Sequence, residues 1–280
     1  MIINDKSLIV FLTLKCNLSC DNCGTNCSSK QAPSNEMITL DRVKYCINDT
    51  IECNKKYHII DLFGGEPTLH PQFKEIVLLF EKANKEHNIT DMLTVGTNGY
   101  AQESFNLCHF AEQHGFITEN SLKDEGFKNH TKKWEYIPSN VAPCDVGHEV
   151  PKDGCWYYKA GHGGFAFDNK GYYACNLILA SARLFDYQPA CQSVKDLTEE
   201  KVKEGFEQHC KRCPLALPID PLFLGKQVSS ARDDIIDIVT ECPTKRVIRQ
   251  TMSKSYVEAI AKYQEKMKKT EEEQRFEDGY

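Results

Sequence analysis

Apolar and polar positions change period in regular blocks along the first 115 residues. Residues 7–14 (SLIVFLTL) form a nearly continuous apolar, β-prone run. Such a run predicts a strand buried on both faces, as in a parallel sheet. Residues 40–53 carry helical periodicity, with Thr39 placed to cap the first turn. Residues 58–63 (HIIDLF) predict a second buried strand, 72–87 a helix, 91–97 a third strand and 101–114 another helix. Strand alternating with helix predicts βα units built around a parallel sheet.

The pattern weakens over 116–150, where FITEN (116–120) and WEYIP (134–138) are the candidates for a fourth and a fifth strand. It sharpens again at 164–175, where GFAF and YYAC flank the turn residues DNKG and predict a β-hairpin. Residues 196–209 and 229–242 predict helices, the second with a Ser230/Asp233 capping box and a stop at Pro243. Tyr256, Ile260, Tyr263 and Met267 make one amphipathic stripe that reads as packing, followed by a charged end that reads as frayed.

Composition narrows the function classes. At 41% apolar and 26% charged residues the chain is globular rather than disordered. A formal charge of −6 gives no basic excess for general nucleic-acid binding. No apolar run reaches the ~18 residues of a membrane span. The N-terminal run Leu8–Leu14 leads into a lysine and cysteines rather than a cleavage site, so no export signal is read. Fourteen cysteines in such a chain predict a reducing cytoplasm and metal or catalytic thiols rather than disulfides.

Three thiols, Cys16, Cys20 and Cys23, lie directly after the first strand as C-x3-C-x2-C. Thiolates this close suit an iron–sulfur cluster, because one compact loop must reach several of its irons. Three ligands leave one iron of a four-iron cube open for chemistry, the logic that separates catalytic from structural metal sites. Gly64-Gly65-Glu66-Pro67 follows the second strand. Its glycines permit close backbone approach and positive φ, and its glutamate offers a carboxylate for an ammonium group. In a parallel barrel both loops open on the C-terminal face, where active sites sit.

These motifs resemble those of the radical S-adenosylmethionine (SAM) superfamily, and Thr97-Asn98-Gly99 is similar to a third-strand feature there. The resemblance implies that Cys16, Cys20 and Cys23 hold a 4Fe–4S cluster. Its open iron would bind SAM, with Gly64, Gly65, Glu66 and Asn98 on the cofactor. One electron would cleave SAM to a 5′-deoxyadenosyl radical, which abstracts hydrogen from substrate. A flavodoxin- or ferredoxin-type reductant is implied as partner. Two departures stand out: Asn22 replaces the family's usual aromatic residue before the third cysteine, and Cys27 adds a fourth nearby thiol that reads as free or adjacent to the cluster.

A second set, Cys155, Cys175, Cys210 and Cys213, combines the end of the hairpin with a CxxC. It resembles the twitch (shortened SPASM) auxiliary-cluster module, with a layout like that of the superfamily's butirosin-pathway dehydrogenases. GYYACNLILASARLF (171–185) is also similar to a bacterial radical SAM subgroup with a GYYPC…RVFG segment. Cys191 or Cys144 would substitute for one of the four ligands, or act as a catalytic thiol. Cys46, Cys53, Cys108 and Cys242 read as core thiols, while His70 and His148 show no metal spacing. His162, between glycines, reads as a solvated loop residue with a substrate contact as the sharper alternative.

The expected architecture is a partial (β/α) barrel over 1–140, a twitch-like module over 141–215 and a helical tail over 216–280. Roughly 55 residues between Gly99 and Cys155 are too few for the remaining units of a full barrel. The expected activity is oxidation of a small molecule, a closed auxiliary cluster taking the second electron. The alternatives are a maturase acting on a peptide or protein, and a non-catalytic iron–sulfur or zinc-binding protein. With the first strand starting near residue 7, no leader-recognition module is expected in cis, which favours the small molecule.

Overall fold

The computed structural model of the protein describes residues 6–18, 25, 27, 35–120, 155, 158, 163–210, 213 and 265. The predicted strand at 134–138, the helix at 229–242 and the C-terminal stripe lie outside these residues, as do Cys20, Cys23, Cys144, Cys242, His148 and His162.

The chain runs β1 (Ser7–Thr13), α1 (Leu40–Glu52), β2 (Tyr57–Gly64), a 3₁₀ turn (Pro67–Leu69), α2 (Phe73–His87), β3 (Thr90–Thr97), α3 (Gln102–Gln113) and β4 (Phe116–Asn120). It continues with β5 (Phe165–Phe167), β6 (Tyr172–Tyr173), α4 (Asn176–Phe185), a second 3₁₀ turn (Val194–Asp196) and α5 (Glu199–His209). Thr39 caps α1 as its sequence position predicts, its side chain accepting from the Arg42 N–H. α2 ends on Asn88 in the left-handed conformation, a residue type that tolerates it.

The strands form one six-stranded sheet in the order β4-β3-β2-β1-β5-β6. Every neighbouring pair from β4 to β5 is parallel and only β5–β6 is antiparallel. The fold is thus mixed α/β with a parallel sheet. The expected barrel is met in that coarser form alone, because β4 and β6 are edges among the described residues. The predicted hairpin is present but does not stand apart as a module. Its first strand pairs with β1, Leu8 opposite Phe165 and Val10 opposite Phe167, so the 140/141 boundary does not divide the sheet.

The two faces of the sheet differ. Leu8, Val10, Leu12, Ile60, Leu62 and Val95 point to one face and are fully buried. α1 covers that face: the Tyr172 hydroxyl donates to the Cys46 sulfur at 3.7 Å, and Tyr45 stacks on Phe167. Cys46 and Cys108 are buried core thiols as predicted, and Cys53 is partly buried. Ile59, Asp61, Phe63, Met92, Thr94, Gly96, Ile117 and Glu119 occupy the opposite face of β2, β3 and β4. Ile117 there is 52% exposed.

α1 also anchors the segment after the hairpin. Buried Asp49 accepts from the Ser193 hydroxyl at 2.5 Å and from the Val194 N–H at 2.8 Å, which caps the second 3₁₀ turn. Removing a buried acceptor leaves its donors without partners at about 1–3 kcal/mol each. Asp49→Ala is therefore expected to cost about 2–4 kcal/mol, read as an earlier thermal midpoint, while Asp49→Asn recovers part of it. No described helix is long and apolar enough to cross a membrane.

Candidate functional site

The C-terminal ends of β1, β2 and β3 meet at one edge of the sheet. β1 runs into the cysteine loop, whose two ends are tied together at its base. The Leu14 N–H donates to Glu36 O at 2.9 Å, the Ile38 N–H to Leu12 O at 2.8 Å, and the Thr13 hydroxyl to Glu36 O at 2.8 Å. Cys16 sits just beyond this base. Its sulfur accepts from the Leu18 N–H at 3.4 Å and lies 3.6 Å from Asn98 Nδ2. N–H donors on a cysteine sulfur stabilise the thiolate form and help set the potential of a cluster bound there. Cys27 is buried, and its thiol faces Thr25 O at 3.4 Å.

The glycine pair is explained by the chain itself. Gly64 has φ +145°, and a Cβ there would lie 2.1 Å from Thr13 O. At Gly65 a Cβ would lie 2.3 Å from Lys15 O. The close approach is that of the end of β1, held by the Gly65 N–H on Thr13 O at 2.8 Å and the Glu66 N–H on Lys15 O at 2.9 Å. The Gly-Gly-Glu edge and the base of the cysteine loop are therefore one hydrogen-bonded unit.

Glu66 is fully buried. The Thr68 hydroxyl and N–H reach its Oε1 at 2.6 and 3.2 Å, the Thr97 hydroxyl lies 3.0 Å from both oxygens, and the Asn98 N–H donates to Oε2 at 2.8 Å. This carboxylate is turned inward, and its oxygens are taken up by donors of the chain. It fastens the end of β2 to the end of β3. Asn98 extends the fastening, its Nδ2 donating to Asn17 Oδ1 at 2.8 Å and its Oδ1 accepting from the Tyr100 N–H at 2.9 Å. Thr68 and Ser104, hydroxyls 2.7 Å apart, complete the network and are absent from the sequence reading. Thr68 could be noticed from its place two residues after Glu66. Ser104, one helix later, carries no sequence signal.

The second cysteine set is buried, with Cys155, Cys175, Cys210 and Cys213 each at most 8% exposed and none in a disulfide. Cys175 stands before α4, and Cys210 follows α5 directly. Burial, then the neighbouring Cys155, pushes the Cys175 thiol up to about 12. Burial, then Cys175 and Cys155, pushes Cys210 up as well. Three thiols from separate segments therefore lie within electrostatic reach of one another, and the Cys213 N–H donates to Cys210 O at 3.1 Å. Cys191 has other company: after burial its thiol, raised to about 11, responds to Lys201, Asp196 and Asp49. Among the described residues no three His, Cys, Asp or Glu side chains are gathered around a point that would hold a single metal ion. A four-iron cube spaces its thiolates more widely than one ion does, and soft, buried thiols are the donor type it takes. His70 is a structural histidine, its Nε2 2.8 Å from Ile38 O and its Nδ1 accepting from the Gln72 N–H.

Residues 7–135 match a family model described as a 4Fe-4S single cluster domain. The iron–sulfur character read from the cysteine loop is borne out by that match. Among solved structures, the chain is similar to BtrN in complex with AdoMet and 2-DOIA, at 13% identity and TM-score 0.42, covering 76% of this chain and 91% of that one. It is also similar to selenomethionine BtrN in an open conformation, at 13% identity and TM-score 0.42, covering 83% and 97%. No curated protein matches the chain.

Proposed function

We propose that the protein is a radical SAM enzyme that oxidises a small molecule. The observation that carries the reading is the joining of Cys16, the Gly-Gly-Glu edge and Asn98 into one unit at the C-terminal edge of a parallel sheet. Cys16, Cys20 and Cys23 would hold a 4Fe–4S cluster, which supplies an electron for the reductive cleavage of SAM. The chain's part is positional. Gly64 and Gly65 let the end of β1 pass close, Glu66 locks β2 to β3, and Asn98 steadies the cysteine loop and donates toward the Cys16 sulfur. Cys155, Cys175, Cys210 and Cys213 are the proposed ligands of an auxiliary cluster that takes the second electron of the oxidation. A flavodoxin- or ferredoxin-type donor in the cytoplasm would supply the electron that cleaves SAM, and the first electron of the oxidation would leave the substrate with the abstracted hydrogen atom.

The test is iron and sulfide content with EPR on anaerobically purified protein, wild type and a Cys16/Cys20/Cys23→Ala variant, together with SAM cleavage under reduction. About eight irons in the wild type and about four in the variant are expected, as two four-iron clusters require. Cleavage of SAM is expected in the wild type alone. One cluster in the wild type and none in the variant removes the auxiliary cluster from the reading. Intact clusters without SAM cleavage overturn the enzyme.

A further inference from the structure

The open face of β2, β3 and β4 is apolar apart from two carboxylates and one hydroxyl. Ile59, Phe63, Met92 and Ile117 supply the apolar surface, and Phe63 packs edge-on against Phe11 with centroids 5.7 Å apart. Asp61 lies half-buried in the middle of it, three residues before Gly64 on the strand that ends in the Gly-Gly-Glu edge. Its Oδ1 accepts from the Thr94 hydroxyl at 2.8 Å, and the Gly96 backbone passes close by. An ionised carboxylate has about four acceptor positions, so the one Thr94 donor leaves it capacity for more. No lysine, arginine or histidine among the described residues forms an ion pair with it. The other charge on this face is Glu119, of the same sign.

A half-buried carboxylate with no counter-charge among the described residues is costly for the fold, and such groups concentrate where a ligand completes them. Gly96 lets the Phe63 ring lie against the backbone next to the carboxylate: a Cβ there would lie 2.5 Å from the ring and 3.8 Å from Asp61 Oδ2. The aromatic ring and the carboxylate thus both stand beside Gly96.

We propose that Asp61 is the group that selects the substrate, and that the substrate is a small amine whose ammonium binds Asp61 while its apolar body lies on Phe63 and Met92. This deepens the reading of the site given above. An anionic substrate would meet both Asp61 and Glu119, and a wholly apolar one would leave Asp61 without a counter-charge. An ammonium supplies the missing positive charge and fills the free acceptor positions with charge-assisted hydrogen bonds. Burial first, and Glu119 further, push the Asp61 carboxyl up to about 7 against the pull of Thr94 and Gly96, and an ammonium beside it would bring it down.

The test follows the Asp61 carboxyl carbon by NMR in cluster-loaded, anaerobic protein titrated with benzylamine, benzyl alcohol and benzoate. Benzylamine is expected to shift the resonance saturably and lower its titration midpoint, with at least about tenfold weaker responses to the alcohol and the acid, a difference of about 1.4 kcal/mol. Asp61→Asn keeps an acceptor for Thr94 and is expected to fold. In that variant, benzylamine binding, followed on the Phe63 ring signals, is expected to weaken at least tenfold. Equal responses to amine and alcohol, no response to the amine, or amine binding unchanged in Asp61→Asn overturns the proposal. The titration needs no turnover. A failed amine response with SAM cleavage intact therefore sinks this inference alone, and failed cleavage with the amine response intact sinks the enzyme reading alone.

Discussion

Glu66→Gln is expected to disassemble the N-terminal site although the side chain keeps its size. The carboxylate accepts at both oxygens, from the Thr68 N–H and hydroxyl on one and from the Asn98 N–H on the other, with Thr97 shared between them. A glutamine has only one acceptor oxygen. Whichever way its amide turns, an NH₂ group faces a donor of the chain, and backbone N–H groups cannot rotate away. At a fully buried position a lost charge-assisted bond and an opposed donor pair cost about 3–5 kcal/mol together. Glu66→Ala removes the clash but leaves the Asn98 N–H without an acceptor. It is expected to cost a similar amount. The measurement is the thermal midpoint and the iron content of each variant. A fall in both is expected, because Asn98 also reaches the Cys16 sulfur. Unchanged iron content in a destabilised Glu66→Gln protein would show that the cysteine loop does not depend on the lock.

Gly65→Ala is expected to cost the protein its N-terminal cluster by a different route. The added methyl would lie 2.3 Å from Lys15 O and 3.0 Å from Leu14 O, both backbone atoms that cannot swing aside. Relief requires the end of β1 to move, which breaks the Glu66 N–H bond to Lys15 O and carries Cys16 with it. Overpacking against backbone costs about 1–3 kcal/mol, so the fold should survive while the ligand geometry does not. About half of the wild-type iron is expected to remain, held by the later cysteines, with SAM cleavage lost. Gly115→Ala is the comparison: no atom lies within 4 Å of the Cβ position there, and the strain of its φ of +84° falls far from the cysteine loop. It is expected to lower the thermal midpoint without changing iron content.

Much of the fold was legible because hydrophobic period is a local property. The runs at 7–14, 58–63 and 91–97 became β1, β2 and β3, the intervening periodic blocks became α1 and α2, and the weaker FITEN became β4. Thr39 was readable as a cap because capping needs only the chain next to it. The segment 176–185 carried no such signal: its apolar residues follow the hairpin without a break, and only packing against β5 and β6 sets it as α4.

The sequence by itself determined the chemistry on offer: a C-x3-C-x2-C loop after one strand, a Gly-Gly-Glu turn after the next, and a second group of thiols later in the chain. Those are statements about residue type and spacing along a few residues. The tertiary structure decided what each group faces. It turned the Glu66 carboxylate inward onto Thr68, Thr97 and Asn98, and showed that the glycines make room for the end of β1. It joined the hairpin to β1 and brought Cys191 opposite Tyr172 across the edge of the sheet. Asp61, an unremarked residue inside HIIDLF, gained its meaning from the register that puts Thr94 and Gly96 beside it. Partners separated by 30 or more residues are fixed by strand order and register, and neither is written in the local period.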